Sequence, residues 1–216
     1  MATLDVTYDA TSGVDALLYQ PAPTTNFGTY NMWEIGSDST SANHRERVLF
    51  KPDLSSIPAA ATINSAHLYL TLAVNVQGSP TIKAYLVLLA AGAWTEAGVT
   101  WNTMEGSTAW PGSAGCGTAG TDRSATELAS VACGGMAAGD VVDFNFSAAE
   151  FSNLLSGNYG ILFKEDAEPA SYTRIQGASS DHATVAHPRL VVDFTAASGS
   201  LVIPNPMRKF QHLLVR

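Results

Sequence analysis

The sequence predicts an all-β protein, a β-sandwich of jelly-roll type with one short helix and a C-terminal extension. Three observations lead there. Apolar and polar residues alternate with period two in segment after segment. Turn-forming residues such as Gln77-Gly78-Ser79-Pro80 and Ser156-Gly157-Asn158 punctuate those segments, and only 14% of the 216 residues are charged. Eight or more short strands without a long helical pattern indicate a sandwich or jelly roll. A chain of this length suits one such domain better than two.

The elements follow in order. Ala16–Tyr19, Met32–Ile35 and Arg47–Phe50 are short strand candidates. Ala66, Leu68, Leu70, Leu72 and Val74 share one face of a longer strand, with His67, Tyr69 and Thr71 on the other. Residues 82–89 are apolar on both faces apart from Lys83, as expected of a central strand. Val142, Phe144 and Phe146 alternate with Asp143 and Asn145, Ile161 and Phe163 with Leu162 and Lys164, and Leu190, Val192 and Phe194 with Arg189, Val191 and Asp193. Tyr172–Gln176 is a further short strand. Ser147-Ala148-Ala149-Glu150 matches a capping box, and Phe151, Leu154 and Leu155 follow at helical spacing before Gly157 as the C-terminal cap. Residues 106–139 hold eight glycines and no clear period, and read as long loops over one end of the sandwich.

Charge divides the chain in two. The net charge is −8, yet the segment from Gly199 onward has Arg208, Lys209 and Arg216 and no acid. The rest, eight basic against nineteen acidic residues, carries −11 and repels nucleic acid and anionic lipid. We therefore expect a sandwich domain over 1–198 and an anchoring tail over 199–216. In the tail, Leu201, Val202, Ile203, Phe210, Leu213 and Leu214 interleave with Arg208 and its basic neighbours. Such a tail orders only against a partner, either its own body or a neighbouring subunit. The first residues, Met1-Ala2-Thr3-Leu4-Asp5-Val6, have neither a basic nor an apolar export region, and no apolar run reaches membrane-spanning length. Cys116 and Cys133 are compatible with a disulfide or with two free thiols.

Five stretches, in order, resemble the DNRLRE domain family, which is related to carbohydrate-binding modules. They are Asn26-Phe27-Gly28; residues 47–58 from Arg47 to Pro58 with the continuation 61–70; residues 94–102 from Trp94 to Asn102; Asn158 to Lys164; and His187 to Phe194. The resemblance covers roughly residues 14–195. It implies a sandwich with a non-catalytic binding role and, loosely, glycan recognition. Residue by residue, Asn-Phe-Gly suits a positive backbone angle before a strand, Arg47 and Asp53 could pair across a strand end, and Trp94 and Trp101 pin the loop between them.

Candidate chemistry is sparse. Asp181, His182 and His187 have metal-ligand chemistry on one loop, and Asp38, Asp166 and Glu168 could serve calcium, but none shows a recognisable ligand spacing. No Gly-x-Ser-x-Gly elbow, phosphate loop or acid pair other than Glu96 and Glu105 suggests catalysis, so no catalytic residue or cofactor is expected. Trp33, Trp110, Tyr30 and Tyr172 are the candidates for an aromatic glycan platform. Two functions follow. The first is a virion component, such as a phage capsid decoration or tail-associated protein, anchored by its tail in an assembly of protein subunits. The alternative is a carbohydrate-binding module of a polysaccharide-degrading system, located outside the cell.

Overall fold

The computed structural model describes residues 1–41, 43–88, 94–168 and 172–197. Two antiparallel sheets pack face to face. The smaller has four strands, ordered β1 (Ala2–Thr7), β13 (Arg189–Thr195), β5 (Thr62–Thr71) and β10 (Val141–Phe146). The larger is ordered β12 (Thr173–Ala178), β3 (Met32–Ser37), β4 (Arg45–Phe50), β11 (Ile161–Glu165), β6 (Thr81–Val87) and β9 (Arg123–Ala132), with β2 (Asp15–Tyr19) also pairing with β4. β7 (Thr103–Glu105) and β8 (Thr108–Ala109) form a small hairpin outside both sheets. The fold is an all-β sandwich, as the alternation predicts.

Period-two alternation builds the core between the sheets. Leu68, Leu70, Leu72, Phe144, Leu190 and Val192 of the smaller sheet are buried against Val48, Phe50, Ile82, Leu86 and Phe163 of the larger. Phe144 and Phe163 meet edge to face across the interface, with centroids 4.9 Å apart. β6 lies between β11 and β9, so the strand apolar on both faces is indeed central. Its Ile82, Ala84 and Leu86 enter the sandwich core, whereas Tyr85 and Val87 enter a second core on the outer face of the larger sheet.

Two expectations are corrected, and one strand is added. The glycine-rich region is not all loop: it contains β9, whose short apolar positions Leu128 and Ala129 are buried. The alternation there is interrupted by register shifts against β6, which hides the period. β1, not among the predicted strands, pairs with β13 over its whole length, with Leu4 and Val6 alternating inward against Thr3, Asp5 and Thr7. The helix α1 (Ala148–Ser156) forms and buries Phe151 and Leu154, but Ser147 makes no side-chain cap and Glu150 instead accepts from Asn153 at 3.3 Å. Gly157 follows the helix with an extended φ of −169°, so no left-handed cap closes it. The tail residues Leu201, Val202, Ile203, Arg208, Phe210, Leu213 and Leu214, and the boundary at 198/199, lie outside the described residues.

Both cysteines are free and buried, Cys133 in the sandwich core and Cys116 in the second core. Thermal unfolding should therefore be unchanged by reductant. Leu70→Ala should lower stability by about 2–5 kcal/mol, the cost of a cavity in a packed core, measured by denaturant unfolding. A change below about 1 kcal/mol would contradict the burial of Leu70 described here.

Candidate functional site

The outer face of the larger sheet is apolar where a layer of loop covers it. Ala16, Leu18, Leu49, Tyr85, Val87 and Leu162 point outward from their strands and pack under Trp94, Val99, Trp101, Met104, Trp110 and Cys116. Residues 94–122 make this layer, and hydrogen bonds fasten it. The Trp94 indole donates to the Tyr159 carbonyl at 2.5 Å and that of Trp110 to the Thr100 carbonyl at 3.2 Å. The Asn26 amide donates to the carbonyls of Glu96 and Val99, both at 2.7 Å. Gly28 is needed here for close approach and not for a positive φ, since a Cβ would lie 2.2 Å from the Glu96 carbonyl oxygen. Fully buried Asp122 accepts from the backbone N–H groups of Gly112, Ser113 and Thr118 at 2.8–2.9 Å. Trp94 and Trp101 thus pin the loop to the sheet.

Where the layer ends, the outward positions become cationic. Arg47 follows Leu49 along β4 at the next outward position, and Lys164 follows Leu162 along β11. Arg45, Arg47, Arg123 and Lys164 line a cavity of about 420 Å³ with Gln20, Trp101 and Glu168. Arg47 makes a bidentate pair with Glu168, its Nη2 at 2.5 Å, and donates from Nη1 to the Gly115 carbonyl at 2.6 Å. Its guanidinium lies over the Trp101 ring at 5.0 Å, and that of Arg123 over the Tyr85 ring at 4.2 Å. Lys164 lies 3.6 Å from Glu168 and donates to the Glu165 carbonyl. Burial, opposed by Glu168 and reinforced by Arg47 and Arg123, holds its ammonium below the ordinary lysine range. Four cations face a single carboxylate in this cavity, and they are half of the eight lysines and arginines that precede Gly199.

A second cleft, of about 230 Å³, opens beside the ends of β2 and β4 and is lined by Tyr19, Phe27, Tyr30, Glu34 and Arg174. Exposed Tyr172 adjoins it through Arg174.

The sequence-derived candidates fall as follows. Trp33 and Trp110 are buried at 2% and 5% exposure, so neither ring offers a face to a sugar. Trp33 instead packs on β12, where a Cβ on Gly177 would sit 2.1 Å from its ring. Tyr30 and Tyr172 are exposed at 38% and 46%; Tyr30 lines the aromatic cleft and Tyr172 adjoins it through Arg174. Arg47 pairs with Glu168, not with Asp53, whose carboxylate accepts from the Ser55 N–H. Asp38 caps its own turn through Thr40 and Ser41, Asp166 pairs with Lys83, and Glu168 with Arg47, so the three calcium candidates are dispersed. His182 Nδ1 accepts from Thr184 and Val185, and His187 Nε2 donates to the His182 carbonyl. Among the described residues no group of three His, Cys, Asp or Glu side chains is placed to hold a metal. Glu105 accepts from the Thr95 N–H and hydroxyl, while Glu96 faces the Asp15 N–H at 3.4 Å. Both acids thus hold the loop layer in place. Lys164 and Arg123 were not singled out in the sequence. Lys164 could have been found, since it interrupts the outward face of an otherwise apolar strand.

The sequence matches the model of carbohydrate-binding module family 96 over residues 7–120. The chain belongs to carbohydrate-binding module family 96. No curated protein matches it. The matched region runs from β2 through the loop layer and carries Arg45, Arg47 and Trp101 of the basic cavity. The sandwich of this family 96 module is completed by β9–β13, beyond the match.

Two carboxyls, buried Asp15 beneath the loop layer and half-buried Glu96 within it, have a measurable consequence. Burial pushes Asp15 up to about 6, partly opposed by the Ser180 N–H that donates to it at 2.9 Å. Burial also pushes Glu96 up to about 6. A carboxyl with a higher pKa in the folded than in the unfolded state favours folding in its protonated form. Its contribution is complete below about pH 4 and is lost as pH rises through about 6. Asp15→Asn should therefore flatten the stability–pH profile between about pH 4 and pH 7, by on the order of 2–3 kcal/mol. Parallel wild-type and variant profiles in thermal unfolding would exclude Asp15 as the cause.

Proposed function

We propose that this family 96 module is a non-catalytic binding module for an acidic polysaccharide, held by its carboxylate or sulfate groups in the cavity of Arg45, Arg47, Arg123 and Lys164. One observation supports this above the others: half the basic residues of a strongly acidic body converge on one cavity with a single carboxylate between them. Three guanidiniums suit planar, bidentate recognition of an oxyanion. An arriving anion would also offset the burial, and the lesser repulsion by Arg47 and Arg123, that depress Lys164. Buried Trp101 backs the cavity from beneath and holds the Arg47 guanidinium in place by stacking. Family membership favours this reading over the virion component, whose main support is a tail outside the described residues. A glycan ligand also makes an extracellular location the expected one.

Affinity electrophoresis through gels containing a polyuronate, a sulfated galactan or a neutral glucan tests the reading. The module should be retarded by at least one acidic polymer and less so as ionic strength rises. Arg45→Gln and Arg123→Gln leave the Arg47–Glu168 pair intact, and each should weaken binding about tenfold, roughly 1.4 kcal/mol. Retardation only by the neutral glucan, or unchanged affinity in both variants, would reject it.

A further inference from the structure

The aromatic cleft lies on the opposite side of the same strand ends. Successive side chains of a strand alternate between faces. Arg45 and Arg47 of β4 turn to the basic cavity while Glu46 turns toward Arg174 of the cleft, and Gln20 joins the cavity while Tyr19 joins the cleft. The two sites therefore share a scaffold and have opposite electrostatics.

Within the cleft, Glu34 accepts from Arg174 Nη2 at 2.6 Å, from Gln176 Nε2 at 2.5 Å and from the Tyr30 hydroxyl at 3.1 Å. Glu46 is less well served. His44 Nε2 lies 3.2 Å from its Oε1, and Arg174 Nε lies 3.4 Å from its Oε2 without forming a hydrogen bond. Both carboxylates are buried, at 4% and 3% exposure. Burial raises the Glu46 carboxyl, with Arg174 opposing. The rings stand edge to face around the space: Tyr19 with Phe27 at 5.7 Å, Phe27 with Tyr30 at 6.2 Å and Tyr19 with His44 at 6.0 Å. Tyr30 and Tyr172 are two of the three exposed tyrosines among the described residues, and the core does not require either.

We propose that this cleft is a second carbohydrate subsite, which takes one uncharged sugar ring against the faces of Tyr19, Phe27 and Tyr30 and binds its hydroxyls through Glu34 and Arg174. It rests on the reading of the chain as a glycan-binding module. Two carboxylates against one guanidinium repel an acidic ring, so the ligand class differs from that of the basic cavity. The volume of about 230 Å³ is below the ~300–1,000 Å³ of sites for larger ligands, so it suits one ring and not a chain. Arg174 lines the cleft and its Nε–H makes no hydrogen bond, so it is a donor awaiting a hydroxyl acceptor.

Heteronuclear NMR of the full chain, titrated separately with the methyl glycosides of glucose, mannose, galactose and xylose and with a triuronate, tests this. At least one neutral glycoside should shift the ring resonances of Tyr30 and Tyr172 and the Arg174 Nε–H, and leave Arg123 unmoved. The triuronate should do the reverse. Tyr30→Ala, an exposed position, should weaken the neutral glycoside about tenfold while leaving retardation in the acidic gel unchanged; Tyr172→Ala serves as a second variant. Cleft shifts with a neutral glycoside but no binding of acidic polymers would sustain the subsite and sink the basic-cavity reading. Absence of cleft shifts with all four glycosides, or cleft shifts with the triuronate, would overturn the subsite alone.

Discussion

The larger sheet has to be covered on both faces, and the rest of the molecule follows from that requirement. Leu17, Val48, Ile82 and Phe163 face the smaller sheet, while Leu18, Leu49, Tyr85 and Leu162 face outward. Exposing that second set would forgo roughly 1.5–3 kcal/mol for each large side chain. Among the described residues the only further sheet is the small β7–β8 hairpin, which contributes Met104 to the cover but cannot span the face alone. A loop layer does so, weighted with three tryptophans and fixed by carboxylate acceptors, buried Asp122 and half-buried Glu105. The basic cavity lies at the rim of that cover. One step further along β4 and β11 the outward residues no longer need burial, and there Leu49 and Leu162 give way to Arg47 and Lys164.

The two candidate sites owe their separation to the pleat. A two-residue period cannot place neighbours on one face, so Arg45, Glu46 and Arg47 divide into cation, acid and cation across the sheet edge. Like charges thereby accumulate on one side of the edge and a carboxylate-rich aromatic cleft on the other. Both are built from strand ends, which hold side chains more firmly than a mobile loop tip does. Arg47–Glu168 is buried and Arg174–Glu34 partly so, and both pairs are formed without bound ligand.

Much of the fold is legible in the sequence because alternation is a local signal. Leu68, Leu70, Phe144 and Val192 announce their burial within their own segments. β9 is not legible, because register shifts interrupt its alternation and its inward residues include Ala129, which carries little hydropathy signal. The sites are less legible still. Arg47, Arg123 and Lys164 come from three strands far apart in sequence, and only sheet order brings them together. Burial decided between the aromatic candidates: Trp33 and Trp110 went inward, whereas Tyr30 and Tyr172 stayed at the surface. Residue type alone does not separate those outcomes, because a large ring serves a core as well as a platform.

A module of net charge −8 meeting an acidic polymer poses an electrostatic conflict. At physiological ionic strength the field of an exposed charge decays over about 8 Å. Acids elsewhere on the surface therefore act weakly on a ligand in the cavity, whereas Arg45, Arg47, Arg123 and Lys164 act at contact and from a partly desolvated setting. The overall negative charge instead opposes approach in any other orientation. Attraction confined to one cavity, within a surface that repels, selects a single mode of engagement. Restricting cations to that cavity is thus a source of specificity for an acidic chain, and a uniformly basic surface would bind such a chain in many registers.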